Sequence, residues 1–317
     1  MKYKQLGNTD LKVGPITFGG NVFGWTIDEA TSFNLLDGFT KAGFNLIDTA
    51  DVYSRWKTGN KGGESETIIG NWMKQRQNRQ QVIIATKVGA DMGNGDRRLS
   101  KKYILGAVEN SLNRLQTDYI DLYQTHFDDP DTPIEETLAT YQQLIKEGKV
   151  RWIGASNLSA ERLKASLNIS KEMDLPMYQT FQPHYNLLER AIFEKEIEAI
   201  CLQYNLGVIG YYSLASGFLT GKYRNPADLE KSSRGAGVKK YLTASGTKVL
   251  TALDELATQY STSQASVALA WLIARPSVTA PIASATNMEQ LKSFIDAAGL
   301  TLSKESIEKL NMAGAWE

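Results

Sequence analysis

Short apolar runs alternate with amphipathic segments along the whole 317-residue chain. Runs such as Val-Ile-Ile-Ala at 82–85 are continuously apolar, which suits strands that are buried on both faces of a parallel sheet. Segments such as 104–115 instead place apolar residues at a 3.6-residue period, which predicts helices. Eight strands that alternate with helices favour a closed parallel (β/α)8 TIM barrel in the α/β class.

The predicted elements can be placed by residue number. Core strands are predicted at 16–20, 44–48, 81–87, 119–126, 150–156, 177–182, 206–212 and 277–283. Alternating residues around Gly-Asn-Thr-Asp at 7–10 predict an N-terminal antiparallel hairpin that covers the barrel floor. Extra helices are expected at 243–260 and 303–312, near the C-terminus. No Pro- or Ser-rich linker divides the chain, so we expect one domain over residues 1–317.

Two irregular stretches interrupt this alternation. A glycine-rich loop is expected at 89–95, and a long polar segment follows the seventh strand as far as about Lys240. Loops of that length in a compact domain are usually functional or disordered. An open doubly wound sheet is the main alternative architecture. It is disfavoured because the first strand lacks the Gly-x-Gly-x-x-Gly turn of dinucleotide-binding folds.

Charge and composition narrow the classes of function. The formal net charge is zero and the pI is about 6.8, so nothing favours nucleic acid or a membrane surface as partner. One cysteine and two histidines cannot form a disulfide framework or a closed cysteine–histidine zinc site, and we expect no metal. The N-terminus lacks the apolar region of a signal peptide, which predicts a cytoplasmic protein that acts on small molecules.

Three successive predicted strands end in, or lead to, chemically useful side chains. The second ends at Asp48 with Tyr53 just beyond it, the third ends at Lys87, and the fourth ends at His126. Active sites of parallel α/β proteins lie at the carboxyl ends of the strands. Each residue alone has an ordinary structural explanation, such as a turn cap or a satisfied core side chain. Together they predict a catalytic site.

Six stretches of the chain resemble the aldo-keto reductase family, in a pattern like that of the bacterial members similar to potassium-channel β subunits. They are Asn-Leu-Ile-Asp-Thr-Ala-Asp-Val-Tyr (45–53), Gly-Gly-Glu-Ser-Glu (62–66), the strand ending in Lys87, Asp-Tyr-Ile-Asp-Leu-Tyr-Gln-Thr-His (118–126), Ile-Gly-Ala-Ser-Asn (153–157) and Gly-Phe-Leu-Thr-Gly-Lys-Tyr (217–223). The resemblance covers essentially the whole chain. It implies a barrel that binds NADP(H) without a Rossmann unit and reduces aldehydes and ketones.

The resemblance also implies a catalytic tetrad at Asp48, Tyr53, Lys87 and His126. A carbonyl that accepts hydride needs an acid beside its oxygen, but free tyrosine has a pKa of about 10. An ammonium at ~4 Å in a medium of effective dielectric near 20 stabilises a phenolate by ~4 kcal/mol, so we expect Lys87 to lower the pKa of Tyr53. Asp48 would orient Lys87, and His126 would orient the carbonyl or share the proton.

The cofactor contacts implied by the resemblance follow the later strands. The nicotinamide carboxamide would be surrounded by Ser156, Asn157 and Gln182, and Tyr211 would stack on the nicotinamide ring. The pyrophosphate would be covered by Ser213, Leu214, Gly217 and Lys222. After the eighth strand, the 2′-phosphate would face the hydroxyl and amide groups of Ser284, Thr286 and Gln290. Trp25, Trp56 and Phe127 are candidates for the substrate pocket, although packing among loops explains them nearly as well.

The region after the eighth strand also bears on the choice of nicotinamide. Many NADP-preferring relatives carry basic residues there, whereas this chain has Ser-Ala-Thr-Asn-Met-Glu-Gln at 284–290. Lys222 and Arg224 are then the nearest basic candidates. We expect NADPH to be preferred by a reduced margin, with NADH usable at lower efficiency. A nicotinamide-binding redox sensor or regulatory subunit with little turnover, and a cofactor-free barrel lyase or isomerase, remain as alternatives.

Overall fold

A computed structural model describes residues 1–93, 98–232 and 234–316, so part of the predicted loop at 89–95 lies outside the described residues. The chain begins with the predicted antiparallel hairpin, formed by β1 (Lys4–Gln5) and β2 (Lys12–Val13). Leu6 and Leu11 of the hairpin are buried against apolar residues of the barrel interior. Asp10 bonds Arg151 and the Trp152 indole. These contacts fix the hairpin over the barrel floor.

Within the described residues, eight parallel strands follow and form the predicted barrel. They are β3 (Thr17–Gly19), β4 (Leu46–Asp48), β5 (Ile83–Val88), β6 (Ile120–Thr125), β7 (Val150–Ser156), β8 (Thr180–Gln182), β9 (Gly207–Val208) and β10 (Ile282–Ala283). Pairing runs from β10 through β3 and in chain order to β9. The ring closes through a parallel bridge between Val208 and Val278 and a 2.8 Å hydrogen bond from Ile282 N–H to the Gly210 carbonyl. β9 and β10 are shorter than predicted because their outer residues pair only through such single contacts.

Helices surround the barrel. They are α1 (Glu29–Lys41), α2 (Glu64–Arg76), α3 (Lys101–Leu115), α4 (Ile134–Lys146), α5 (Ala160–Glu172), α6 (Glu198–Gln203), α7 (Gly235–Val238), α8 (Ala244–Gln259), α9 (Gln264–Ala274), α10 (Met288–Gly299) and α11 (Lys304–Ala313). Ser159 and Ser263 cap α5 and α9 by accepting backbone hydrogen bonds. A π-helical turn at Phe193–Ile197 lies ahead of α6.

The polar stretch between β9 and α8, residues 213–243, is packed onto the barrel rather than extended. It contains 3-10 turns at Ala215–Thr220, Pro226–Lys231 and Lys239–Tyr241, in addition to α7. Phe218, Leu219 and Tyr223 are almost fully buried and anchor it. No helix within the described ranges is long and apolar enough to cross a membrane.

Candidate active site

Lys87 joins two acidic groups at the carboxyl ends of β4 and β5. Its ammonium donates to Asp48 Oδ2 at 2.7 Å, to the Thr49 carbonyl at 2.7 Å and to Tyr53 Oη at 2.9 Å. The Tyr53 hydroxyl also lies 3.3 Å from Asp48 Oδ2. Lys87 is 0% exposed and Asp48 is 1% exposed, so neither side chain can turn out to water. The structure therefore brings three of the four predicted tetrad residues into direct hydrogen-bond contact.

Two amides complete the surroundings of Asp48. Gln182 at the end of β8 donates to Asp48 Oδ1 at 2.9 Å, and Gln124 of β6 donates to the same oxygen at 3.3 Å. Hydrogen bonds of this kind stabilise the ionised carboxylate. Sequence reasoning did not single out Gln124. Its signal was available, because it lies two residues before His126 and alternate residues of a strand share a face.

Burial dominates the electrostatics of the phenol and the ammonium. Burial of the hydroxyl end of Tyr53 raises the pKa of the phenol well above its ordinary value, and the negative charge of Asp48 raises it further. Burial lowers the pKa of Lys87, against the opposing effect of Asp48. The expected fall in the pKa of Tyr53 is therefore wrong for this state of the site. The Asp48 carboxylate contacts the phenol as well as the ammonium, and water that would stabilise a phenolate is excluded.

Aromatic rings form one wall of the site. The Tyr53 and His126 ring centroids lie 6.0 Å apart, and Phe127 stacks on His126 at 4.7 Å. Trp56 lies 5.8 Å from Tyr53 and meets Trp25 edge to face at 5.6 Å. The three aromatic residues predicted for the substrate pocket thus surround the phenol and the imidazole. Trp56 remains 49% exposed, as expected for a residue at the rim of a cleft.

The predicted nicotinamide residues form one hydrogen-bonded chain beside the tetrad. Ser156 Oγ donates to the Gln182 carbonyl at 2.8 Å, and Asn157 Nδ2 donates to the His126 carbonyl at 2.9 Å. The Tyr211 hydroxyl donates to Asn157 Oδ1 at 2.8 Å. Several donors of this set therefore already have protein partners. The amide oxygens of Asn157 and Gln182 keep acceptor capacity for a carboxamide N–H.

His184, which matched no tetrad position, stacks on Tyr211. Their ring centroids lie 5.2 Å apart and their planes are inclined by 17°. Asn186 also contacts the imidazole. Burial lowers the pKa of His184, while Glu189 raises it. His184 therefore supports one face of the ring that is predicted to stack on nicotinamide.

Segment 213–243 carries the predicted pyrophosphate residues. Ser213 is buried and donates to the Gly210 carbonyl at 3.3 Å, and Leu214 packs against the core. Gly217 has φ +96°, and a Cβ there would lie 3.4 Å from Lys222 Nζ. Lys222 therefore lies against the backbone of Gly217. Arg224 instead pairs with Asp254 at 2.8 Å.

Arg234 is the cation that sequence reasoning missed. Its guanidinium lies 5.1 Å from the Trp25 ring centroid, and with the Asn21 amide suitably turned its Nη2 donates to the Asn21 oxygen at 3.0 Å. Burial lowers the pKa of Arg234. No carboxylate in the described part of the chain forms an ion pair with it. Its only sequence signal was a basic residue within a long loop, which cannot locate the side chain.

The residues after β10 form a compact turn at the start of α10. In the same amide orientation, Asn21 donates to Ser284 Oγ at 2.7 Å, so Ser284 lies close to Arg234. Gln290 Oε1 accepts from the Thr286 backbone N–H at 2.9 Å and from its hydroxyl at 3.2 Å. Thr286 and Gln290 therefore bond each other. They can still supply the Gln290 amide N–H groups to an anion near the helix start.

The described residues contain no group of three or more His, Cys, Asp or Glu side chains placed to hold a metal ion. The geometry of the site supports the chemistry of a buried lysine–carboxylate pair against a phenol, next to an imidazole and aromatic rings. Such a phenol can transfer a proton to a substrate oxygen.

The profile of the aldo/keto reductase family matches residues 15–314, and this chain belongs to that family of oxidoreductases. It is 36% identical to the "Uncharacterized oxidoreductase YrpG" of Bacillus subtilis (strain 168), over 98% of this chain and 95% of that protein. It is 35% identical to the "Aldo-keto reductase YhdN" of the same strain, over 98% of this chain and 93% of that protein. A "Probable voltage-gated potassium channel subunit beta" of Oryza sativa subsp. japonica is 32% identical over 98% and 95%, so the predicted likeness to the channel-subunit branch is confirmed.

Proposed function

We propose that this chain is an NADP(H)-dependent enzyme that reduces aldehydes or ketones to alcohols, with Tyr53 as the general acid. The observation that supports this most directly is the hydrogen bond from Lys87 to the phenol oxygen of Tyr53. A purely structural phenol would have no need of a buried ammonium beside it. A single domain over residues 1–317 and a cytoplasmic location stay predictions.

The residues divide the work of proton transfer. Tyr53 Oη gives its proton to the carbonyl oxygen as negative charge develops there. Its raised pKa keeps the phenol protonated before the reaction, and the Lys87 ammonium stabilises the phenolate once the proton has left. Asp48, held by Gln124 and Gln182, keeps the ammonium in place. His126 orients the carbonyl oxygen.

The donor set fits a nicotinamide dinucleotide, which would supply the hydride. Lys222 against Gly217, and Arg234 without a carboxylate partner among the described residues, suit the two charges of a pyrophosphate. Ser156, Asn157 and Gln182 would hold the carboxamide, Tyr211 would stack on the ring, and Ser284, Thr286 and Gln290 would face the 2′-phosphate. The rings of Trp25, Trp56 and Phe127 would contact the apolar part of the substrate and exclude water.

Steady-state oxidation of NADPH with 4-nitrobenzaldehyde tests this function. We expect many turnovers per protein molecule. The second candidate, a redox sensor or regulatory subunit, is favoured by the likeness to the rice protein named as a channel subunit. It predicts one turnover at most, and that result would overturn the enzyme proposal. Sustained turnover would exclude the sensor.

The ratio of kcat/KM for NADPH to that for NADH tests the cofactor choice. We expect NADPH to be preferred, but by less than roughly a thousandfold, or ~4 kcal/mol, because the region after β10 supplies no cation. A preference for NADH would contradict the prediction. A larger NADPH preference would mean that Arg234 contacts the 2′-phosphate.

A further inference from the structure

Asp51 is a second carboxyl close to the tetrad, but it lies on the opposite face of the sheet. The Asp51 backbone N–H donates to the Lys87 carbonyl at 3.3 Å, so the chain after β4 continues alongside β5. Successive residues point to opposite faces there, so residues two apart share a face. Asp48 points into the barrel, whereas Thr49 bonds Ser65 of α2. Asp51 is 3% exposed, and its spacing of two residues from Thr49 and its interactions with Glu66 and Arg114 place it on the same outer side.

Glu66 and Arg114 form an ion pair in this outer layer. Glu66 is 0% exposed, and its Oε2 accepts from Arg114 Nε at 2.7 Å. Its other oxygen accepts from the hydroxyl of Thr86, the neighbour of Lys87 in β5, at 2.5 Å. Both oxygens of Glu66 are therefore satisfied in the ionised form. Asp51 Oδ1, by contrast, is buried without a hydrogen-bond partner in the described structure.

The charge balance of this outer layer requires one of its carboxyls to hold a proton. In the described part of the chain, the outer cluster contains two carboxyls, Asp51 and Glu66, and one cation, Arg114. Lys87 lies across the strand and is neutralised by Asp48. Among the residues that the structure describes, Asp51 also interacts with three phenols, which carry no charge near neutral pH: Tyr103, Tyr123 and Tyr141. A buried charge without a partner is strongly disfavoured, so the cluster is neutral only when one carboxyl is protonated.

Asp51 is that carboxyl, because Glu66 has the ion pair and Asp51 does not. Burial and then the repulsion of Glu66 raise the pKa of Asp51 to about 8, against the opposing effect of Arg114. Loss of the proton would place an extra negative charge across β5 from the tetrad. That charge raises the pKa of Lys87 and disfavours a second negative charge on Tyr53.

We propose that Asp51 is a positioning residue that holds a proton behind Lys87, and that loss of this proton at alkaline pH slows carbonyl reduction. The consequence for reduction rests on the proposed function, whereas the bound proton does not. The two parts therefore have separate tests.

The pH dependence of thermal stability tests whether Asp51 holds a proton in the folded state. The folded pKa of about 8 lies above the ordinary value of 3.8, so folding takes up a proton between these pH values. Stability contributed by a raised pKa is present at low pH and is lost as pH rises through the folded pKa. Asp51→Asn mimics the protonated acid and removes this loss. We expect the variant to gain Tm over the wild type progressively from about pH 4 to 8 and to level off above that. The exposed control Asp131→Asn should show no such trend.

A Tm difference that is independent of pH would overturn the assignment of the proton to Asp51. If Asp51→Asn fails to fold, infrared titration of the wild type decides the matter. We expect the carbonyl stretch of a protonated carboxylic acid at neutral pH, lost as the pH passes about 8. Absence of that band at pH 7 would equally overturn the assignment.

The pH profile of kcat/KM tests the effect on the reaction. We expect the wild-type value for NADPH-dependent reduction to fall by roughly three- to tenfold between about pH 7 and 9. Asp51→Asn should have the same kcat/KM as the wild type at pH 7, and its kcat/KM should not fall between pH 7 and 9. If kcat/KM of the variant falls with pH as it does in the wild type, the positioning role of Asp51 is overturned. If the wild type shows no turnover, the proposed function is overturned instead. The stability measurements would still show whether Asp51 holds a proton.

Discussion

The ammonium of Lys87 donates to the phenol oxygen of Tyr53 at 2.9 Å from a side chain that is 0% exposed. Two further hydrogen bonds, to Asp48 and to the Thr49 carbonyl, hold the ammonium in place. The phenol oxygen therefore meets a positive charge that the protein itself holds in place. This contact stabilises a phenolate more than a phenol, which is the requirement for a proton donor.

Tyr53→Phe should keep the fold and cofactor binding but lose carbonyl reduction by several orders of magnitude. The substitution deletes only the hydroxyl that donates the proton, and the aromatic contact with Trp56 remains. Steady-state rates and fluorescence titration with NADPH measure the two effects separately. Tyr3→Phe, at an exposed tyrosine, is the control. Substantial residual turnover in Tyr53→Phe would refute the assignment of the acid.

Lys87→Met should lower kcat/KM by roughly a thousandfold, the equivalent of the ~4 kcal/mol that the ammonium gives the phenolate. The change also leaves Asp48 buried with only its amide donors and a weak contact to the phenol, so we expect a lower Tm. Lys74→Met, at an exposed position of α2, should alter neither quantity. A normal rate at neutral pH would show that Lys87 does not act on Tyr53.

Arg234→Met should weaken the binding of NADPH and of NADH by a similar factor, roughly 10- to 100-fold. Both nucleotides carry the pyrophosphate, and a hydrogen bond to a charged group contributes ~1.5 to 3 kcal/mol. Fluorescence titration gives both Kd values. Arg224→Met is a matched control on the same segment, since Arg224 pairs with Asp254. A loss confined to NADPH would assign Arg234 to the 2′-phosphate, and unchanged Kd values would remove it from the site.

Arg114→Met should lower the free energy of unfolding by ~3 to 5 kcal/mol, because it leaves Glu66 charged and buried without its cation. Urea unfolding at pH 7 measures the change. Arg76→Met breaks an ion pair with Asp37 whose two side chains are 37% and 40% exposed, so it should cost at most about 1 kcal/mol. Equal losses in the two variants would show that burial does not control the strength of these pairs.

The sequence alone determined the order of strands and helices and the ends of most helices, because these depend on local periodicity and capping. It also placed Asp48, Lys87 and His126 at strand ends. Parallel strands of one barrel bring their carboxyl ends to the same edge, so proximity of these residues follows from the order of elements. Pairing details at β9 and β10 were less predictable, since single hydrogen bonds leave no pattern in the sequence.

Only the tertiary structure decided which side chains surround these residues. Gln124 and Gln182 converge on Asp48 from strands far along the chain, and Arg234 reaches Asn21 and Trp25 from a long segment. The direction of the Tyr53 pKa shift was likewise decided by burial and by the nearby Asp48. Charge and hydrogen-bond effects depend on distance and on excluded water, and neither quantity is encoded in the local order of residues.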